Sequence, residues 1–377
     1  MATSQILCPR GGRLALAAAL AFTFLTFARF APAQDVSPRL PPAGNPAPSV
    51  ADIVEGVALP EVTRTPITIP GPSYYPGAGA AHAAPQVEMG IFDTMIESIF
   101  GHPDMDDWRP LPLSTFFAEG WNEAWVPSPK GSGGAPRQSW INSAAGNLYR
   151  LWFFTFAQGF NQAPRGNAYL GSYTLLTPLN RRLMLITNIP FVLRNNAVSG
   201  LPTIDPNLPA VTATKSHSGS GDITFTPRVL LHETKDLSLT AELAVTTPTG
   251  TQPLAGKAAL TPAVAFWTDL AGGWVIRGGL GDLIATQGTG SNTLISQLAV
   301  GQTLTAHDVP LFGDFTYYLS AVVNTPFASG NQTSMTLTPG LRTHLGNNWF
   351  FQAGLPIPVT KERVADIGMI FWFQKAW

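Results

Sequence analysis

The 377-residue sequence has very little cysteine and little charge. Its one cysteine, Cys8, precedes the first apolar run, so the rest of the chain can form neither a disulfide nor a cysteine-ligated metal site. Charged residues make up 12% of the chain, about half the usual share and too few for an ordinary soluble surface. The formal charge of −1 gives no basis for a nucleic-acid partner.

Long apolar runs are also absent. Beyond residue 33, no segment reaches the ~18 consecutive apolar residues that a membrane-spanning helix needs. The hydrophobic share of 45% is nevertheless too high for a disordered chain. An apolar chain without spanning helices can cross a bilayer only as a closed β-barrel, so the composition favours an all-β membrane protein.

Residues 1–33 have the features of a secretory signal peptide. Arg10 and Arg13 form a basic start, Leu14 to Phe27 is a short apolar run, and Ala31-Pro32-Ala33 supplies the small residues of a cleavage site. We expect cleavage after Ala33. The alternative is an uncleaved anchor.

Residues 34–146 show no strand pattern. Residues 34–87 are rich in Pro, Ala and Gly, which predicts an extended, largely disordered periplasmic arm. Such an arm is long enough to touch the cell wall; the alternative is that it is a simple linker. Residues 88–146 combine a short amphipathic helix, within 88–101, with an irregular segment rich in Trp. The helix could plug a barrel, lie on the inner leaflet or bind a periplasmic partner.

From residue 147 to 377 the sequence alternates between apolar and polar residues. In 236–246, for example, Leu237, Leu239 and Leu243 alternate with polar residues, as in a strand with one apolar face. A soluble β-sandwich has the same alternation with its apolar face inward. Twelve such segments follow one another: 147–158, 167–178, 181–193, 220–232, 236–248, 257–269, 272–285, 292–305, 311–325, 333–345, 347–358 and 364–377.

Three features favour a transmembrane barrel over a sandwich. The segment count is even, and each segment is long enough to cross a bilayer at a tilt. Tight turns follow the even-numbered segments and longer loops the odd ones, which is typical of outer-membrane barrels with periplasmic chain ends. The chain ends in Trp377, with Ile367, Met369, Phe371 and Phe373 on the same face. This ending resembles the C-terminal strand by which the outer-membrane assembly machinery recognises its clients.

Aromatic residues gather near the segment ends. Two interpretations are open: these residues form aromatic girdles at the membrane interfaces, or they are ordinary strand-forming residues. They are Trp267, Trp274, Tyr317, Tyr318, Trp349 and Phe350.

Short motifs within 147–377 resemble barrels of the MetA-pathway-of-phenol-degradation family. They are Gly221-Asp222-Ile223-Thr224, Thr246-Thr247-Pro248-Thr249-Gly250, and Ala353-Gly354-Leu355-Pro356-Ile357-Pro358-Val359 followed by Arg363. The resemblance implies an outer-membrane channel connected with the uptake of aromatic or other apolar small molecules. It implies no particular binding residue.

The polar strand face supplies the candidate site. If the apolar face meets lipid, charged side chains line the lumen and filter solutes by charge and size. The alternative is that they pair with one another and fill a small barrel. These pore-lining candidates are Asp222, Arg228, Glu242, Arg277, Arg342 and His344.

The sequence predicts no enzyme, no cofactor and no metal site. No nucleophile motif is present, and the cluster of His102, Asp104, Asp106 and Asp107 lacks the spacing of a calcium loop and indicates a surface turn. The leading hypothesis is a passive outer-membrane channel for small solutes, apolar or aromatic ones among them, with membrane lipids as its surroundings. The alternative is a filled barrel that anchors the periplasmic arm.

Overall fold

A computed structural model of the chain describes residues 89–160, 167–195, 217–251, 258–286, 292–327, 332–361 and 366–377. The expected signal peptide (1–33) and the whole of the expected periplasmic arm (34–87) lie outside these residues. One α-helix, α1, spans Ile91–Phe100. Three single-turn 3-10 helices cover Met105–Asp107, Leu113–Thr115 and Ala271–Gly273. None of the helices in the described part of the chain is long and apolar enough to cross a membrane.

Fourteen strands make up the rest of the regular structure. They are β1 Leu151–Phe160, β2 Ala168–Pro178, β3 Leu183–Asn195, β4 His217–Ser220, β5 Thr224–Glu233, β6 Leu237–Thr246, β7 Ala259–Asp269, β8 Trp274–Ala285, β9 Thr293–Thr303, β10 Gly313–Pro326, β11 Ser334–Gly346, β12 Trp349–Gly354, β13 Ile357–Pro358 and β14 Ile367–Ala376.

The strands close into one antiparallel barrel. Leaving aside the short strands β4 and β13, each strand pairs with the next one along the chain. The first and last strands, β1 and β14, also pair, so the sheet has no open edge. The short strands β4 and β13 pair with β3 and β11 next to β5 and β12, and they prolong those two strands. The barrel wall therefore contains twelve strand positions, which we call staves, with β4 counted with β5 and β13 with β12. This confirms the fold class predicted from the sequence.

The connections differ between the two ends of the barrel. At one end, here the turn end, they are two to nine residues long, and at the other, the loop end, they are seven or longer. Leu151 pairs with Ala376, so β1 begins and β14 finishes at the turn end. The tightest turn contains Asn347 and Asn348, both with positive φ, the geometry that two-residue hairpins favour and that Asn tolerates.

The outer face of the barrel is apolar and the inner face is largely polar. Nine staves each expose at least one large apolar side chain outward over about 40–50% of its surface: Phe154, Ile189, Phe225, Leu243, Val264, Leu280, Val300, Leu319 and Phe373. The buried inward residues of the same strands include Thr155, Thr240, Ser320 and Gln374. A soluble sandwich has the opposite distribution, with its apolar face in the core.

The aromatic residues near the strand ends divide between the two faces. Trp274, Tyr317 and Trp349 are partly exposed on the outside, where an interfacial girdle would place them. Trp267, Tyr318 and Phe350 are buried in the lumen instead, at most 6% exposed. The girdle interpretation is therefore wrong for these three, because their strand positions face inward.

Candidate functional site: the barrel lumen

An irregular stretch of chain, residues 137–147, crosses the lumen near the turn end. We call it the inner segment. Asn147 accepts a hydrogen bond at its carbonyl oxygen from Arg228 of β5 (3.1 Å), and the Asn142 side chain donates to Thr338 of β11 (2.8 Å). Strands β5 and β11 are six staves apart by either route around the ring of twelve. The inner segment therefore bridges the full width of the barrel.

Two arginines of the wall hold this segment, one through its backbone and one through the side chain of Gln138. Arg277 of β8 donates to the carbonyl oxygens of Gln138 and Arg137 (2.7 Å each) and Ala145 (2.9 Å). Arg342 of β11 donates from Nε to the side-chain oxygen of Gln138 (2.7 Å). Both guanidinium groups are almost fully buried. A guanidinium group carries five N–H donors, so it can satisfy several carbonyls that have no ladder partner of their own.

Neutral polar groups complete the contacts between wall and segment. Ser320 donates to the carbonyl of Ile141 (2.7 Å), and Gln352 donates to that of Ser139 (2.8 Å). The wall thus supplies side-chain partners where an irregular backbone would otherwise leave buried oxygens unpaired, which is the condition for non-helical chain at membrane depth.

An aromatic stack anchors the middle of the inner segment. The rings of Trp140 and Tyr318 lie parallel at 5.0 Å, and the Arg277 guanidinium group lies 5.0 Å from the Trp140 ring. Gly301 of β9 lies beside the Trp140 ring, and its lack of a side chain makes space for the ring. A Cβ atom at this position would come within 2.8 Å of Trp140. Trp140 is 2% exposed, so the ring fills the space between β8, β9 and β10.

The preceding residues, 108–134, cover the turns of the barrel. We call them the cover segment. Four carboxylates in or beside the turns bind it or the start of the inner segment: Glu233 pairs with Arg137 (2.8 Å), Asp236 accepts from Ser132 N (2.7 Å), Asp269 from Gly133 N (2.5 Å) and Asp314 from Lys130 (2.5 Å). Arg137 and Glu233 are both nearly fully buried, so neither charge can be left alone without a large cost.

A second group of charges fixes the start of the cover segment over the turn between β2 and β3. Arg109 binds Glu119 (2.5 Å) and Glu123 (2.7 Å), and Arg181 donates to the carbonyl of Arg109 (2.6 Å). The hydrogen bond from Arg109 lowers the pKa of Glu119. Burial lowers the pKa of the Arg181 guanidinium group.

The loop-end half of the lumen has a different lining on strands β6 to β11. Apart from Glu242, which pairs with Arg228, its inward side chains are neutral, and several of them keep part of their surface accessible to solvent. They are Thr246, Thr261, Ile295, Gln297, Asn324 and Thr336. On the opposite wall, Ala157, Leu170, Val192 and Ile370 are fully buried along the same depth. Solvent therefore reaches the lumen along one side of its loop-end half.

A protein-family model matches most of the barrel sequence. The family model described as "Putative MetA-pathway of phenol degradation" matches residues 158–372, more than half of the chain. The chain belongs to this family. The match confirms the resemblance drawn from the sequence motifs. It begins within β1 and ends within β14, so the inner segment, the cover segment and α1 all precede it.

Among solved structures, the chain is similar to the crystal structure of the COG4313 outer membrane channel from Pseudomonas putida F1. The TM-score is 0.45 and the identity 13%, over 63% of this chain and 98% of that chain. No curated protein sequence matches.

Four of the six pore-lining candidates lie well inside this family member's barrel. Arg228 and Glu242 face the lumen and form an ion pair (2.6 Å). Arg277 and Arg342 face the lumen and contact the inner segment, and among the described residues neither has a carboxylate within ion-pair distance. All four are therefore engaged with partners in this state.

The other two candidates lie toward the ends of the barrel. His344, at the turn end, stacks on His307 with ring centres 4.0 Å apart. Asp222 precedes β5 at the loop end and accepts from Gly250 N (2.9 Å). A pore-lining role stays a prediction for all six.

The inner segment and the binding role of the turn carboxylates were not predicted from the sequence. Two signals pointed to them. Residues 101–146 contain four Trp (108, 121, 125 and 140) without a strand or helix pattern, and such a load of aromatic surface must be buried somewhere. Acidic residues also recur at the short turns, where they are available to bind passing backbone N–H groups.

Proposed function

We propose that this family member is an outer-membrane channel for small solutes. The observation that carries the proposal is a closed antiparallel barrel with an apolar outer surface and a polar lumen. Such a barrel satisfies its backbone hydrogen bonds internally and can expose its outer side chains to hydrocarbon. The even number of staves and the short turns at one end support an orientation with the turn end, and both ends of the barrel chain, in the periplasm. The C-terminal strand β14 is then the segment that the assembly machinery binds.

The lining of the loop-end half favours uncharged solutes. Apart from Glu242, whose charge is paired with Arg228, the accessible side chains there combine hydroxyl and amide groups with aliphatic ones and carry no formal charge. Small apolar or aromatic molecules with a polar substituent fit this chemistry, in keeping with the family's description. Passage is by diffusion down a gradient, since nothing in the described residues suggests an energy source.

The inner segment makes the described state a closed one. It crosses the barrel at the turn end, so a solute that enters from the loop end meets Trp140, Tyr318 and the two wall arginines. Conduction therefore requires the inner segment to shift. The contacts of Arg277 with its backbone and of Arg342 with the Gln138 side chain set how readily it does so.

A cross-linking experiment tests this channel proposal. Asn142→Cys and Thr338→Cys, introduced together with Cys8→Ser, join the inner segment to β11 through a short bismaleimide. We expect single-channel openings in planar bilayers from the uncoupled protein and their loss after coupling. The two single-cysteine variants, treated identically, are the controls. Absence of conductance and of solute-driven liposome swelling in the uncoupled protein, and in a variant lacking residues 101–147 that still assembles, would remove the proposal.

A second function is a structural anchor, and the filled turn-end half of the lumen favours it. In that case the barrel holds the N-terminal arm at the membrane and transports nothing. It predicts envelope defects on deletion of residues 34–87 with normal barrel assembly. An unchanged envelope after that deletion would count against the anchor.

A further inference from the structure

Helix α1 has three distinct faces. Thr94 and Ser98 are buried and lie against the barrel and cover segment. The apolar side chains occupy roughly half of the circumference, at about 100° per residue. The exposed ones are Ile91, Phe92, Ile96 and Phe100, at 59–80% of their surface. Asp93 and Glu97 occupy the remaining sector and are exposed.

The buried face is small and polar, which is unusual for a helix packed on a protein. Ordinary surface helices bury their apolar stripe and expose their polar one. Here Ser98 donates to Thr94 O (2.7 Å) and accepts from Trp125 N (2.9 Å), so hydrogen bonds hold the helix while its apolar stripe remains uncovered. An uncovered stripe of this kind indicates an apolar partner.

Contacts with the barrel rim fix the position of α1. Arg150, directly before β1, donates to the carbonyl oxygens of Ser98, Ile99 and Gly101 (3.0–3.3 Å). Trp377, directly after β14, donates from its indole nitrogen to Ile99 O (3.3 Å). The helix thus lies at the turn end, at the foot of β14, β1 and β2.

The order of the faces matches three different surroundings. Around the helix, the side that faces the barrel is followed by the apolar half and then by the two carboxylates. A helix lying flat at the foot of a membrane barrel meets protein on one side, acyl chains above and water below. The acidic sector opposes the membrane core, as charged side chains of an interfacial helix do.

Exposed apolar residues of the cover segment extend this surface along the rim. Phe117 is 93% exposed and Leu113 is 55% exposed. Leu113 donates its backbone N–H to His232 at the turn end of β5 (3.2 Å), so this part of the cover segment also lies at the rim. The apolar residues of α1 and of the cover segment are therefore at the same end of the barrel as the turns.

We propose that α1 is an interfacial helix whose apolar face inserts into the inner leaflet of the outer membrane at the foot of β14 and β1. The partner is a lipid surface, and the inference rests on the proposed membrane location of the barrel. The helix then links the inner and cover segments to the membrane as well as to the barrel rim. Neither the family match nor the channel proposal assigns it this position.

Spin-label accessibility in lipid vesicles tests the proposal. Single cysteines replace Ile96, Glu97 and Val264 in the full-length chain carrying Cys8→Ser, and each is spin-labelled. Val264 faces outward in the middle of β7, 48% exposed, and reports on the barrel itself. We expect the labels at 96 and 264 to collide mainly with oxygen, which dissolves in acyl chains. The label at 97, one residue further along the same helix, should collide mainly with a water-soluble nickel complex, with a several-fold difference in the ratio of the two.

The outcomes separate this inference from the channel proposal. If position 264 favours oxygen but 96 and 97 are equally accessible to nickel, the interfacial helix is wrong and the barrel stands. If the label at 96 is shielded from both reagents and shows dipolar broadening between copies, the apolar face is a protein interface and the inference fails. If position 264 itself favours nickel, the membrane location of the barrel fails.

Discussion

The two halves of the lumen are built from the same staves but are filled differently. At the turn end, inward side chains such as Ser320, Gln352 and Arg277 are completely buried, and most of their partners are backbone carbonyls of the inner segment. At the loop end, inward residues on β6 to β11 such as Gln297 and Thr336 keep solvent access. The difference shows two ways in which the polar groups of a barrel's inner face can find hydrogen-bond partners: in a segment of the same chain or in solvent.

This contrast also separates stability from selectivity. Residues that bind the inner segment contribute packing and buried hydrogen bonds, so replacing them is expected to lower the free energy of unfolding substantially. Residues of the solvent-accessible half are expected to contribute little to stability, and in the proposed channel they are the ones that would determine which solutes enter. Substitutions in the two halves are expected to differ accordingly.

Trp140→Ala is expected to have the largest effect. It removes a buried indole that stacks on Tyr318 and lies under Arg277, and it leaves a cavity between three strands. The expected loss is about 3–5 kcal/mol in the free energy of unfolding. Urea titration of the protein in vesicles measures it. Ile295→Ala in the loop-end half is the matched control, with a smaller expected loss because Ile295 is only partly buried. Equal losses would contradict the contrast.

Arg277→Met is expected to come next. The substitution leaves three carbonyl oxygens of the inner segment without their charged donor, at an expected loss of about 2–3 kcal/mol, the range for a hydrogen bond to a charged group. Because the segment is then held less tightly, the open probability in planar bilayers should rise. Gln297→Met serves as the control, and an unchanged open probability in Arg277→Met would mean that this arginine does not hold the segment closed.

Gln297→Glu should change selectivity with almost no change in stability. Gln297 faces the lumen two residues along β9 from Ala299, and it is half-buried, so the new carboxylate remains hydrated. The expected stability change is within about 0.5 kcal/mol. Reversal potentials in a salt gradient should shift toward cations, and Gln297→Leu should leave them unshifted. No shift would mean that ions do not pass this side of the lumen.

The smallest expected effect is a pH dependence of the cover segment. The pKa of Glu119 is lowered by its hydrogen bond from Arg109, from an ordinary value of 4.5. A lowered folded-state pKa means that the pair stabilises the cover segment fully above the unfolded value and loses this contribution as the pH falls through the folded one. Because Glu119 is partly exposed, solvent screening keeps the contribution small.

Limited proteolysis of the cover segment between pH 6 and pH 3 measures this effect. Cleavage should increase toward the acid end, and Glu119→Gln should flatten the increase. The same increase in Glu119→Gln would place the responsible group elsewhere.

The sequence predicted the barrel because its evidence is local. Alternation along each strand, as in Leu237 to Val245, reports which face meets an apolar surrounding, and a tight turn such as Asn347-Asn348 reports where the chain reverses. The same alternation predicts Arg228 and Glu242 on one face of their strands, and in the structure they pair across adjacent strands. What those inner residues contact was not encoded in any local pattern.

By itself, then, the sequence determined the fold class, the number of staves, the faces of the strands and the end at which the turns lie. Only the tertiary structure decided what occupies the lumen and which aromatic residues face it, because Trp140 meets Tyr318 and Gln138 meets Arg342 across separations of 178 and 204 residues. Such contacts depend on closure of the whole ring. An irregular segment has no period of its own, so its place is fixed by the hydrogen-bond partners that the closed barrel offers it.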